Sequence, residues 1–134
     1  MSAAMPLLAQ PTQRLLLSST GSDSTVPWEF RVSGGRQAGR RATIPVTSNW
    51  EMQGFGTYHH SDDWSVPTPD SIGEYRHAFS VPSAWKGNRI EIIIGGSMTD
   101  TDVRINGQSA GPVHQGGFTE FRYETSGTRR TTMR

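Results

Sequence analysis

The chain contains no cysteine. Disulfides, thiolate nucleophiles and cysteine-based zinc sites are therefore excluded together. It is poor in net charge as well: thirteen Lys and Arg against twelve Asp and Glu leave +1. A field that weak gives no reason to expect nucleic acid or an anionic membrane as partner. The arginines at 36, 40 and 41 and at 129, 130 and 134 form only local clusters with no aromatic residues between them, so they read as solvated loop and tail charges. No run approaches the roughly 20 apolar residues of a membrane span. The opening MSAAMPLLAQ has no basic residue ahead of its apolar part and is interrupted by Pro6, which makes it a poor signal peptide. The compartment stays open, with secretion or a periplasmic location among the options. There is no GxSxG, GxGxxG, P-loop or HExxH, so nucleophilic hydrolase, dinucleotide and zincin chemistries have no motif to rest on.

What is present is 134 residues, the length of one domain, with 15 Gly and 8 Pro punctuating short β-branched and aromatic segments. Three regions are expected. Residues 1–25 end in a Ser/Thr/Gly-rich stretch and read as a flexible lead-in, 26–125 as one folded domain, and 126–134 as a polar tail. The strand candidates are 28–32, 42–46, 74–81, 88–94, 101–105, 108–113 and 119–124. In 74–81, Tyr75, His77, Phe79 and Val81 alternate with Glu74, Arg76 and Ser80; in 101–105, Val103 and Ile105 oppose Asp102 and Arg104. Period two marks strands with one buried and one wet face. Ile92, Ile93 and Ile94 do not alternate and are expected to be covered on both sides. Asn106-Gly107 predicts a type I′ hairpin, because that turn needs positive φ at both central residues. No helical stripe competes, and the fold class expected is all-β, an antiparallel sandwich.

Three stretches carry a resemblance: IPVTSNWEMQGFGTY, GEYRHAFSVPSAWKGNRIEIIIGG and DVRINGQSAGPVHQGGFTEF. Together they resemble the N-terminal sugar-binding domain of glycoside hydrolase family 2, which includes β-galactosidases, β-glucuronidases and β-mannosidases. The match covers residues 28–125 in the family's order. It implies a galactose-binding-like jelly roll whose ends are plugged by Trp50, Phe79, Trp85, Phe118 and Phe121. In that family hydrolysis uses two glutamates about 5 Å apart, placed in a TIM barrel that follows this domain and an immunoglobulin-like one. A barrel alone takes roughly 250 residues, so the resemblance implies no catalytic residue here, no cofactor and no metal, with the two following domains as partners. The family's next strand is missing after Thr125, which reads as a shortened piece.

Sugar-contact candidates come in part from the same resemblance and in part from the residues themselves. Some β-galactosidases carry a Tyr-Thr-Asn whose Asn enters the active site; here Tyr58, His59 and His60 stand in that place, so His60 replaces the Asn. Trp64, in a Ser-Asp-Asp-Trp loop, is the aromatic best placed for exposure and for stacking on a sugar ring. His114 reads either as a loop histidine bonded to backbone or as a contact with a saccharide or the next domain. His59, His60, Asp62 and Asp63 have metal-donor types, but a solvated loop accounts for them. Three functions remain in view: a noncatalytic docking domain of a glycosidase, a stand-alone carbohydrate-binding module that takes an oligosaccharide, and a nonfunctional shortened product.

Overall fold

The computed structural model describes residues 11–19, 24–56, 71–97, 100–117, 119–125 and 132–133. Among them the chain is all-β and antiparallel, as a β-sandwich requires, with a single 3₁₀ turn at Ser83–Trp85. The strands in chain order are β1 (Val26–Val32), β2 (Ala42–Val46), β3 (Gly73–Arg76), β4 (Phe79–Ser80), β5 (Glu91–Ile94), β6 (Arg104–Ile105), β7 (Gln108–Ser109), β8 (Phe121–Glu124) and β9 (Thr132–Met133).

The organising sheet has the order β2-β1-β3. Its central strand pairs Trp28 with Ile44 and Phe30 with Ala42 on one side, and Phe30 with Tyr75 on the other. Alternation then sorts the side chains. Phe30, Val32 and Ile44 point inward and are buried; Glu29, Arg31, Arg41, Glu74 and Arg76 line a shallow groove on the outer face, where Arg31 pairs with Glu74 and Arg41 lies 4.0 Å from Glu29.

The core is completed from outside the sheet. Residues 50–54 form a tight turn: Gln53 and Phe55 both donate backbone N–H groups to the Trp50 carbonyl at 3.0 Å, and Asn49 Oδ1 accepts from the Glu51 N–H at 2.9 Å. Trp50 and Phe55 are thereby brought onto Phe30, at centroid distances of 5.5 and 5.2 Å, the second edge to face. A two-way backbone bridge between Arg36 and Gly56, both bonds 2.9 Å, holds the far end of this loop. The cluster of Phe30, Val32, Ile44 and Phe55, with Ala42 and Trp50 packed on it, is the main core.

A second apolar patch lies under the β5-β8 ribbon, whose register sets Ile92 against Tyr123 and Ile94 against Phe121 on one face. Its other face carries ion pairs of Arg89 with Glu91 and Glu124, and of Arg122 with Glu91 and Glu120. Ile93 sits on that charged face and is 44% exposed, so the three isoleucines alternate after all. A two-stranded ribbon leaves its outer face to water, and the β-branched run reflects strand propensity there as well as burial.

Two further expectations need correction. The span 74–81 is not one strand: β3 ends at Arg76 and β4 begins at Phe79. The inward set nevertheless survives the break, because His77 stacks between Trp28 and Phe79 at 4.9 and 6.3 Å. The hairpin at Asn106-Gly107 forms as expected, with φ of 52° and 78°, but its regular strands are only two residues each. Ala110 still donates to the Val103 carbonyl at 2.8 Å, and Thr101 bridges His114. From there the returning side takes four steps, Ala110 to His114, where the outgoing side takes two, Val103 to Thr101. Pro112 has no N–H to give to a ladder, and the irregularity falls on it.

Candidate functional site

Of the four sugar-contact candidates, Tyr58, His60 and Trp64 lie outside the described residues, as does Phe118. His114 is described, and its surroundings are built from three segments. Its backbone N–H and carbonyl exchange 2.9 Å hydrogen bonds with Thr101, which fixes the residue opposite the start of the hairpin. Its imidazole lies flat on Phe121, with centroids 3.9 Å apart and planes 10° from parallel. Phe121 meets Tyr123 edge to face at 5.7 Å, and the Tyr123 hydroxyl donates to the Pro112 carbonyl. Nε2 of His114 is buried and has no hydrogen-bond partner, and Gly116, at φ 117°, passes close by. The backbone-bonded histidine anticipated in the sequence is thus bonded through its main chain, while its ring is used as a flat aromatic surface.

This second patch is stabilised chiefly by ring contact and apolar burial, with offset and edge-on pairs each worth about 0.5–1.5 kcal/mol beyond area. Gly111 is integral to it. A Cβ on that residue would meet the Tyr123 ring at 2.4 Å, so the ring rests directly on backbone. The polar group buried nearby, Thr125, is satisfied by donating its N–H and hydroxyl to the Ile90 carbonyl, at 2.8 and 3.3 Å.

Carboxylates are arranged for pairing with arginine. Glu29, Glu74, Glu91, Glu120 and Glu124 each have a guanidinium within 4.0 Å, on faces open to solvent. Glu51 lies in the Trp50 turn, and its charge acts on Tyr75. Burial first and Glu51 second push the Tyr75 phenol above its ordinary value of 10.0. Among the described residues no three His, Asp or Glu side chains gather in a way that could hold a metal ion.

The sequence did not reveal a further grouping at the N-terminal side. The Trp28 indole N–H donates to the Leu17 carbonyl at 2.7 Å, and the Trp85 indole N–H to Gln13 Oε1 at 2.5 Å. Ser19 adds a backbone bond to the Val46 carbonyl at 2.9 Å and a hydroxyl contact with Thr47 at 3.2 Å. Residues 13–19 are thereby laid across the end of the β2-β1-β3 sheet. Such bonds join single side chains to an irregular backbone and leave no periodic trace in the sequence.

No family model matches the chain. Among curated proteins it is similar to β-galactosidase BoGH2A of Bacteroides ovatus, 29% identical over 111 residues. That alignment takes in 77% of this chain and 13% of the β-galactosidase, so the chain spans about an eighth of the length of the relative it matches. The likeness relates the chain to a portion of a glycoside hydrolase and agrees with the all-β architecture.

Proposed function

We propose that this chain is the N-terminal jelly-roll domain of a family 2 glycoside hydrolase, a noncatalytic unit that docks beside the catalytic barrel and flanks its substrate cleft. The observation that carries this reading is the extent of the likeness to the β-galactosidase: 111 residues and 13% of that protein. A (β/α)₈ barrel takes roughly 250 residues and alternating helices, so an aligned all-β segment of this size fits an accessory unit. The pairing of five glutamates with arginines on wet faces supports the same assignment, since general-acid work needs a carboxyl held in a less polar setting.

In this reading Tyr58, His60 and Trp64 belong to the loop facing the cleft, and His114 with Phe121 stiffens the scaffold behind the returning hairpin. The partners are the following immunoglobulin-like and barrel domains, and a β-glycoside reaches the domain only at its edge. The purified chain is tested with nitrophenyl β-galactoside and, separately, by titrating oligosaccharides while following tryptophan emission. Neither turnover nor quenching is expected. Saturable quenching would transfer the assignment to a carbohydrate-binding module, and turnover by the chain alone would end it.

A further inference from the structure

The chain has asparagines at 49, 88 and 106, and only Asn106 is followed by glycine. Asn49 precedes Trp50 and Asn88 precedes Arg89, and both engage backbone with their side chains: Asn49 Oδ1 accepts from the Glu51 N–H at 2.9 Å, and Asn88 Nδ2 donates to the Ala84 carbonyl at 3.4 Å. Gly107 is different. It is exposed, a Cβ built on it would meet nothing within 4 Å, and its N–H makes no backbone hydrogen bond, because a two-residue turn leaves the ladder to the flanking Ile105 and Gln108. The Gly107 nitrogen is therefore sterically open to the side chain before it. The closed turn nevertheless holds it out of reach. Asn106 and Gly107 have φ of 52° and 78°, and at left-handed backbone values the following nitrogen lies across the Cα–C bond from Cβ. Closing a five-membered ring from Asn106 Cγ to that nitrogen needs the bond to rotate, and the rotation undoes the turn. The hairpin opposing this is thin: β6 and β7 are two residues each, and Ile105 is the one buried residue from Arg104 to Ser109. So short a ribbon has little stability of its own, and opening it locally is cheap beside global unfolding.

We propose that Asn106 is a site of hydrolytic modification, gated by opening of the β6-β7 hairpin, and that the modified turn does not close again. In the opened turn a base in the solvent takes the Gly107 amide proton, and the nitrogen attacks Asn106 Cγ. The new N–Cγ bond displaces Nδ2, which takes up a proton and leaves as ammonia. Water then opens the cyclic imide at either of its carbonyls. One water is consumed and one ammonia released, nothing is oxidised or reduced, and the product is aspartate or isoaspartate. Isoaspartate routes the main chain through the side-chain carbon and so lengthens a turn that the ladder fixes at two residues. Ile105 and Gln108 then lose their register, and the bonds further along, Ala110 to Val103 and Thr101 with His114, face a mismatched path. Opening is reversible until the ammonia leaves and is one-way afterwards. This inference is independent of the glycosidase assignment.

The test needs no substitution. The full chain is kept in mildly alkaline buffer, beside the same chain unfolded in urea and a synthetic peptide of residues 101–110, and samples are cut with trypsin. Cleavage after Arg104 and Arg122 isolates residues 105–122, in which Asn106 is the only asparagine. Loss of its amide appears as the small mass gain of exchanging an amide for a carboxyl, with separate aspartyl and isoaspartyl peaks. The expected result is conversion of Asn106 in all three samples, slowest in the folded chain, while Asn49 and Asn88 keep their amides over the same period. Conversion of Asn106 no faster than that of Asn49 and Asn88 overturns the site, and equal rates in the folded chain and the peptide overturn the gate. Low urea concentrations separate local from global opening. The rate should rise before tryptophan emission reports unfolding, and a rate that rises only with the emission change overturns gating by the hairpin.

Discussion

Gly73 lies directly beneath the Trp50 indole: a Cβ built on it would stand 2.2 Å from Cζ3 and 2.7 Å from Cε3. β3 thus begins where the aromatic lid of the core rests on bare backbone. Gly73→Ala forces either the strand or the indole to move, and overpacking of this kind costs about 1–3 kcal/mol. Urea unfolding followed by tryptophan emission reads the loss; a midpoint equal to that of the unaltered chain would contradict the packing.

Phe30 is 1% exposed and touches Trp50, Phe55 and Tyr75. Phe30→Ala empties the centre of the only fully buried cluster among the described residues and is expected to cost about 3–5 kcal/mol. Ile44→Val, at 2% exposure, removes one methylene and should cost about 0.5–1.5 kcal/mol. The ordering of the two variants in chemical unfolding checks where the core sits.

The second patch has its own pair of tests. Tyr123→Phe removes the hydroxyl donated to the Pro112 carbonyl, a net loss of about 0.5–1.5 kcal/mol. Gly111→Ala places a methyl into the face of the same ring and should cost more, since the obstacle is 2.4 Å away. Making Gly111→Ala in a Tyr123→Ala background should recover part of its cost, because the obstructing ring is gone. Additive losses would show that the two residues do not touch.

Alkaline stability is expected to depend on Tyr75. Its folded-state pKa is raised above 10.0, by burial first and by Glu51 second. Below pH 10 the phenol keeps its proton in both states and contributes no slope. As pH rises from 10 through the folded value, the unfolded chain releases the proton first, so the native state binds more protons and stability falls. Unfolding measured across that window should show a shallower decline in Tyr75→Phe than in the unaltered chain, with Glu51→Gln between them. Identical slopes would remove Tyr75 from the account.

Much of the sheet was legible because it rests on local rules. The strand candidates 28–32 and 42–46 fall on β1 and β2, and within those strands alternation turns Phe30, Val32 and Ile44 inward, where they are buried. Asn106-Gly107 turns as its positive φ preference demands. The failures share a cause. A run such as Ile92–Ile94 encodes strand propensity without saying whether a second layer covers it, and the break between Arg76 and Phe79 changes the backbone while leaving the inward side chains in place. The aromatic character of His114 was equally hidden, since a histidine codon announces hydrogen bonding while the tertiary fold lays its ring on Phe121. Of the candidate site, Tyr58, His60 and Trp64 fall outside the described residues, so their roles rest on the sequence alone.

The central position of β1 orders the acquisition of structure. Pairing it with β2 closes only residues 33–41, whereas pairing it with β3 closes residues 33–72, roughly four times the span. At about 0.6 kcal/mol of closure entropy per doubling, the distant partner is about 1.2 kcal/mol more expensive to recruit before any side chain is repaid. On closure entropy the β1-β2 hairpin is expected to form before β3 docks. β3 arrives late, and with it the backbone on which Trp50 settles, so substitutions in β1 and β2 should slow refolding while those at Gly73 chiefly hasten unfolding.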